Sequence, residues 1–212
     1  VLDFRPLYLT NTTGFIDIYR DFANFEHNLF FIDHGRYESN PKHDWSVSFP
    51  ERASFNVERI KNSSSQRRSI LMISLNSSRL GDYVKLERTI DRCPEITDDL
   101  YFSIRIMMEP PNDCSVDALI ECEDSISNRT TIRYRLAGDD KKSSFENQCI
   151  TVSLDDPGKW NLIQRNLSAD LNAYGIYGKC HIRGIHIIVR DGTPRGEQAN
   201  TKVLIDHVAI YR

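Results

Sequence analysis

The stretch VLIDHVAIYR at residues 203–212 sets Asp206 among Val203, Ile205, Val208 and Ile210. These neighbours are apolar and β-branched, as a strand prefers, and an ionised carboxylate in such a segment needs water, a hydrogen-bonding partner or a metal. Lys202 is a nearby cation that could pair with it. A second group of residues alternates with apolar ones along strand-like segments. Tyr101 and Arg105 lie in YFSIRIMM, Arg133 and Arg135 in TIRYRL, Tyr83 in YVKLERTI and His186 in HIRGIHIIVR. A guanidinium fork matches a carboxylate, and aromatic and polar side chains side by side suit a sugar ring and its hydroxyls. Tyr83, Tyr101, Arg105, Arg133, Arg135 and His186 are therefore the candidate ligand-binding residues. The same alternation also describes any solvated sheet face.

Signatures of catalysis are missing. No GxSxG, GxGxxG or GxxxxGK[ST] occurs, and no HxxxH with a Glu. His181 and His186 are five apart, which in a regular strand puts them on opposite faces and prevents shared metal binding. Paired carboxylates of a glycosidase can meet in space without a sequence trace, and a lyase-like set could be drawn from Tyr134, Arg105 and His186.

The elements that must position these residues are strands. Period-2 segments occur at 101–108, where Phe102, Ile104, Ile106 and Met108 share a face, and at 131–136, where Ile132, Tyr134 and Leu136 do. Further strands are expected at 45–49, 69–75, 83–90, 116–122, 149–154, 181–190 and 202–211. Turn sequences PPND, GDDKK, DDPG and DGTPRG separate them, and NLSADLNAYG at 166–175 carries a helical turn ending at Gly175. Trp45 and Trp160 sit beside apolar strand residues and read as core. KNSSSQRR at 61–68 reads as a loop. Many short strands with polar turns indicate an all-β protein, an antiparallel sandwich or barrel.

Composition narrows the function classes. The 212 residues, 40% of them hydrophobic, suffice for a single β domain, and the formal net charge of -3 supplies no basic field for nucleic acid. No run approaches the length of a membrane span. The chain begins at Val1 without a Met or an apolar leader and reads as a segment of a longer protein. Its five cysteines lack CxxC spacing, and Cys114 and Cys122 flank one strand, too far apart to bridge; Cys93 with Cys114, or Cys149 with Cys180, is the easier pairing. Sequons at Asn11, Asn62, Asn76, Asn128 and Asn166 point to an extracytoplasmic setting.

DFANFEHN at 21–28, with Glu26 directly after Phe25, together with Trp45, Trp160, KWNLIQRNLSADL at 159–171 and the closing LIDHVAI, resembles carbohydrate-binding modules of the family 4, 9 and 22 type. The resemblance spans about residues 20–212. It implies a jelly-roll β-sandwich of galactose-binding-like fold over 21–212, preceded by an extension or linker at 1–20 that packs on the domain. It also implies a structural calcium held by Glu26 and Asp206 with backbone carbonyls, hard oxygen ligands of the kind calcium takes. The expected protein is a non-catalytic, extracellular ligand-binding module whose partner is a glycan or a related extracellular ligand. Loops 33–44 and 191–197, with Asp33, His34, Arg36, Tyr37 and Arg195, would border its ligand surface. An extracytoplasmic sensor or adhesion domain is the second reading, and a polysaccharide-degrading jelly-roll enzyme the third.

Overall fold

The computed structural model of the chain describes residues 29–33, 45–51, 54–61, 69–77, 81–90, 93–109, 114–137, 150–152, 158–192 and 199–212. The extension at 1–20, Glu26, the loop residues His34, Arg36, Tyr37 and Arg195, and Cys149 lie outside them. The described chain forms β1 (Leu29–Asp33), β2 (Ser46–Ser48), β3 (Ser54–Lys61), β4 (Ser69–Ser77), β5 (Tyr83–Thr89), β6 (Tyr101–Glu109) and β7 (Cys114–Asp124). There follow β8 (Arg129–Ala137), β9 (Ile150–Thr151), β10 (Asn161–Asn166), α1 (Leu167–Ala173), β11 (Cys180–Asp191) and β12 (Ala199–Tyr211).

Two sheets result, packed as a jelly-roll β-sandwich. The first runs β10-β6-β12-β4-β3, with β1 beside the end of β12; the second runs β2-β5-β11-β7-β8-β9. All neighbours are antiparallel except β8 and β9. Alternation decides what lies between the sheets. Phe102, Ile104, Ile106 and Met108 of β6, and Val116, Ala118, Ile120 and Cys122 of β7, are buried on the inner faces, as the sequence pattern requires. Trp45, leading into β2, is also core, whereas Trp160 is only half-buried.

Two bulges reset this alternation. In β11 the register against β7 shifts between Ile182 and Gly184. His181 therefore faces Glu123 and His186 faces Leu119, positions four apart on β7, so both histidines lie on the outer face, contrary to the regular-strand expectation. In β12 the register against β6 shifts between Ile205 and His207, so Asp206 is the inserted residue.

Helix α1 closes one end. Asn166 caps it by accepting from the Ala169 amide at 2.9 Å. At the other end Gly175, at φ 73°, allows the Ile176 amide to reach the Leu171 carbonyl at 3.1 Å. Its buried Asp170 ties three elements together. The Tyr134 hydroxyl of β8 donates to Oδ2 at 2.7 Å, and Arg165 of β10 donates from Nε at 3.0 Å and from Nη2 to Oδ1 at 2.5 Å. Burial, with Asp170 alongside, pushes the Tyr134 hydroxyl far above its ordinary range, so it stays a donor.

Cys93, Cys114, Cys122 and Cys180 are in no disulfide, so the Cys93–Cys114 pairing expected from spacing does not form; Cys149, the partner expected for Cys180, lies outside the described residues. Cys93 lies against the start of β11, where His181 Nδ1 approaches its carbonyl at 3.2 Å, while Cys114 pairs with Asp191 at the other end of that strand. The nine residues of β7 between those levels span about 30 Å, far beyond the reach of a disulfide. Burial pushes the Cys122 thiol up to about 12.

Replacing Asp170 by Ala is expected to destabilise the fold by about 2–4 kcal/mol in urea titration, because Arg165 and the Tyr134 hydroxyl lose their acceptor together. Tyr134→Phe, which leaves the Arg165 pair intact, should cost about 1 kcal/mol; equal losses would contradict the bridging role. Thiol labelling mapped by mass spectrometry should modify Cys93 in the native protein and Cys114, Cys122 and Cys180 only in denaturant. Because the Cys122 pKa is raised by folding, its contribution is present below the ordinary thiol range near 9 and is lost as pH rises towards 12.

Candidate functional site

The outer face of the second sheet carries an ordered array of polar side chains. Register aligns Tyr83, Arg190 and Ser115 in one row, and Lys85, Ile188, Asp117, Arg135 and Thr151 in the next. A third row holds Glu87, His186, Leu119 and Arg133. Four of the sequence-predicted residues, Tyr83, Arg133, Arg135 and His186, are thus brought to one face of β5, β11 and β8.

Two clusters organise it. Asp117, at 0% exposure, accepts from Arg135 Nε on Oδ1 at 2.5 Å, from Arg133 Nη2 on Oδ2 at 2.7 Å, and from Arg190 Nη1 on the same oxygen. Arg135 is itself nearly buried, while the Arg190 side chain is 33% exposed. In the other cluster, His186 lies between two carboxylates: Nδ1 is 3.2 Å from Glu87 Oε1 and Nε2 is 3.3 Å from Glu121 Oε1. These are ion-pair separations, and the buried Nδ1 has no hydrogen-bond partner. Gly184 makes room for this pair, since a Cβ there would stand 3.1 Å from the Arg88 carbonyl and 3.4 Å from Glu121 Oε2. One end of the face is therefore guanidinium-rich and the other carboxylate-rich.

Tyr101 and Arg105 lie instead on the outer face of the first sheet, across the core. There the Arg105 Nη1 donates to Asp206 Oδ2 at 2.8 Å, and its guanidinium sits 5.0 Å from the Trp160 ring centroid. Trp160 is thus a surface platform for Arg105, which corrects its reading as core. Tyr101 stacks on Tyr211 at 5.9 Å, and burial pushes the Tyr211 hydroxyl up to about 12. Ser103 and His207 Nε2 are 3.2 Å apart. The six candidates therefore form two groups and not one site. The lyase-like set is likewise dispersed, with Tyr134 in the core, Arg105 on one outer face and His186 on the other.

Sequence reading missed Asp117 and Arg190. Their signal was present: Asp117 interrupts the apolar run VDALI at the position that faces outward, and Arg190 ends the β11 alternation. Asp206 is paired with Arg105 and not with Lys202, whose Nζ donates to Glu109 Oε1 at 2.7 Å. The Asp206 Oδ1 is buried and has no hydrogen-bond partner. Among the described residues no group of three His, Cys, Asp or Glu is arranged to hold a metal.

No protein-family model matches the chain, and no curated protein matches it in sequence. Solved structures do. The module CtCBM11, studied in solution, matches with a TM-score of 0.50 at 13% identity, over 85% of this chain and 92% of that one. A family 11 carbohydrate-binding module from Clostridium thermocellum, in complex with a β-1,3-1,4-mixed-linked tetrasaccharide, matches with a TM-score of 0.44 at 12% identity, over 83% and 92%. The xyloglucanase domain of NopAA, a type three effector from Sinorhizobium fredii, matches with a TM-score of 0.44 at 10% identity, over 87% and 100%. The likeness to CtCBM11 is one of fold, the jelly-roll β-sandwich described above. No helix among the described residues is long and apolar enough to cross a membrane.

Asp117→Asn should lower stability by about 2–4 kcal/mol in urea, since three guanidiniums would surround a neutral amide. Arg190→Gln, at a partly exposed position, should cost under about 1 kcal/mol. A neutral Asp117→Asn would show that the cluster does not hold the sheet face together.

Proposed function

We propose that the chain is a non-catalytic carbohydrate-binding module whose ligand lies across the outer face of the second sheet. The observation that carries this reading is the row-by-row array on that face, where Tyr83 stands beside Arg190 and His186 stands between two carboxylates. An aromatic face for a pyranose ring and several hydrogen-bonding groups for hydroxyls are what saccharide recognition needs. An extracellular setting is part of the proposal and is supported by the sequons, of which Asn128 is exposed in the β7–β8 turn. Asn166, by contrast, spends its side chain on the helix cap and on the Asp98 carbonyl.

A second reading, a sensor or adhesion domain for a non-sugar ligand, is favoured by one observation. Tyr83 is the only aromatic among the described strand residues of that face. Calcium is proposed at Asp206 and Glu26. Its support is the orphaned Asp206 Oδ1, an oxygen that a hard cation would satisfy, while Arg105 already neutralises the other oxygen. Such an ion would hold the two ends of the domain together.

Binding of the purified chain to a broad glycan array should be selective and should weaken at least tenfold in Tyr83→Ala, about 1.4 kcal/mol, while Tyr101→Ala on the opposite face leaves it unchanged. A blank array from folded protein, or loss with Tyr101→Ala alone, would reject this site. Calcium should raise the melting temperature by several degrees over chelator, and Asp206→Asn should abolish the difference. Indifference to chelator would remove the calcium.

A further inference from the structure

Three of the sequons, those at Asn76, Asn128 and Asn166, fall on described residues, and each meets a different local structure. Asn76 lies within β4, where the backbone is paired on both sides, with Ser54 of β3 and Asn200 of β12. Asn166 caps α1 through Oδ1 and donates from Nδ2 to the Asp98 carbonyl at 2.6 Å, while Ser168 of the same sequon donates to Asp98 Oδ1 at 2.9 Å. Leu167 between them is fully buried. Neither segment reaches an enzyme unless a strand unpairs or a helix unwinds. Asn128-Arg129-Thr130 is different, because it leaves the tip of the β7–β8 hairpin, where residues 125–129 are all exposed. Asp124 builds that tip: its Oδ1 accepts the Ile126 and Asn128 amides at 2.9 and 2.8 Å, and its Oδ2 accepts from Asn128 Nδ2 at 3.1 Å. Ser127, at φ 67°, turns the chain back so that the Asp124 amide meets the Asn128 carbonyl at 3.0 Å.

We infer that Asn128 is the acceptor of an N-linked glycan in the folded protein, and that Asn76 and Asn166 are not. This rests on the extracytoplasmic setting within the reading above. A side-chain amide nitrogen carries two hydrogens, so the bond to Asp124 orients the group and leaves the second position for substitution. Arg129 opens the extended β8, and residues two apart on an extended segment lie on one side, which brings the amide of Asn128 and the hydroxyl of Thr130 together as an acceptor sequence needs. The donor is a lipid-linked diphosphate oligosaccharide, used by an asparagine-glycosylating transferase. Nδ2 of Asn128 bonds to the anomeric carbon, the bond from that carbon to the diphosphate oxygen breaks, the lipid diphosphate leaves, and one Nδ2 proton passes to a base of the transferase. The remaining N–H keeps its bond to Asp124. The attached sugar covers Ile126, an apolar side chain 76% exposed two residues earlier. Asp124 pairs with Cys180 at the start of β11, about 30 Å along that strand from Arg190, so the glycan leaves Tyr83 and Arg190 open.

The test offers the purified whole chain to an asparagine-glycosylating transferase and its lipid-linked donor in two forms, native and held unfolded by alkylating its thiols in denaturant, with a short sequon peptide confirming that the enzyme is active. Peptide mass spectrometry locates the sugar. The native chain should be modified at Asn128 and bare at Asn76 and Asn166, and the unfolded chain should be modified at all three. Asn128→Gln and Thr130→Ala should each abolish the native modification at this site, with circular dichroism confirming the fold of both. A native chain bare at Asn128 while the peptide is modified, or one modified as fully at Asn76 or Asn166 as at Asn128, would overturn the inference. Fractionation that finds the protein in the cytoplasm of its own cell would overturn the extracytoplasmic setting instead, a failure distinct from that of the acceptor site, which the native chain decides by itself.

Discussion

An ionised carboxylate taken out of water must find a cation or enough donors, and among the described residues Asp117, Asp170 and Asp206 are buried and paired with arginines. Asp117 lies on the outer face of the second sheet among Arg133, Arg135 and Arg190; Asp170 lies between the sheets with Arg165; Asp206 lies on the outer face of the first sheet with Arg105. Each pair joins different elements: β7 to β8 and β11, α1 to β10, and β12 to β6. The apolar alternation sets which faces meet, and these pairs fix how neighbouring elements sit at the places where polar groups interrupt the pattern. The Asp117 cluster differs from the other two because three arginines donate to one carboxylate and one of them, Arg190, is partly open to solvent.

The bulges explain how polar residues enter strands without breaking the core. Along β12 the apolar residues are Val203 and Ile205 before the bulge and Val208 and Ile210 after it, a change of phase that the inserted Asp206 absorbs. Along β11 the phase changes at Gly184, so Ile182 precedes it and Ile185, Ile187 and Val189 follow, all facing inward. That shift is what puts His186 outside, between Glu87 and Glu121. A regular strand would have turned its imidazole into the core.

Much of this was legible in the chain. The strands at 69–77, 83–89, 101–109, 114–124 and 129–137 follow from alternation, and the faces of β6 and β8 from which residues alternate. β3 escaped notice because its inward positions run Phe55, Val57 and then Arg59, so the apolar period fails after two residues. The phase changes in β11 and β12 were written in the sequence, but a period read without them puts His181 and His186 on opposite faces. Which candidates share a face was not legible, because strand order is set by long-range pairing: Arg105 and Arg133 look alike in sequence and lie on opposite sides of the sandwich. Trp160 failed as core for a related reason, since its contact is Arg105 on another strand.

The account turns on one face of the sandwich being the binding face. Backbone and side-chain NMR shifts recorded during titration with the tightest saccharide from the array would map it directly. Perturbations should cluster at Tyr83, His186, Arg133 and Arg190, on β5, β11 and β8, with Tyr101, Arg105 and Tyr211 unmoved. Perturbations centred on Tyr101, Arg105 and Tyr211, with the second sheet silent, would contradict it.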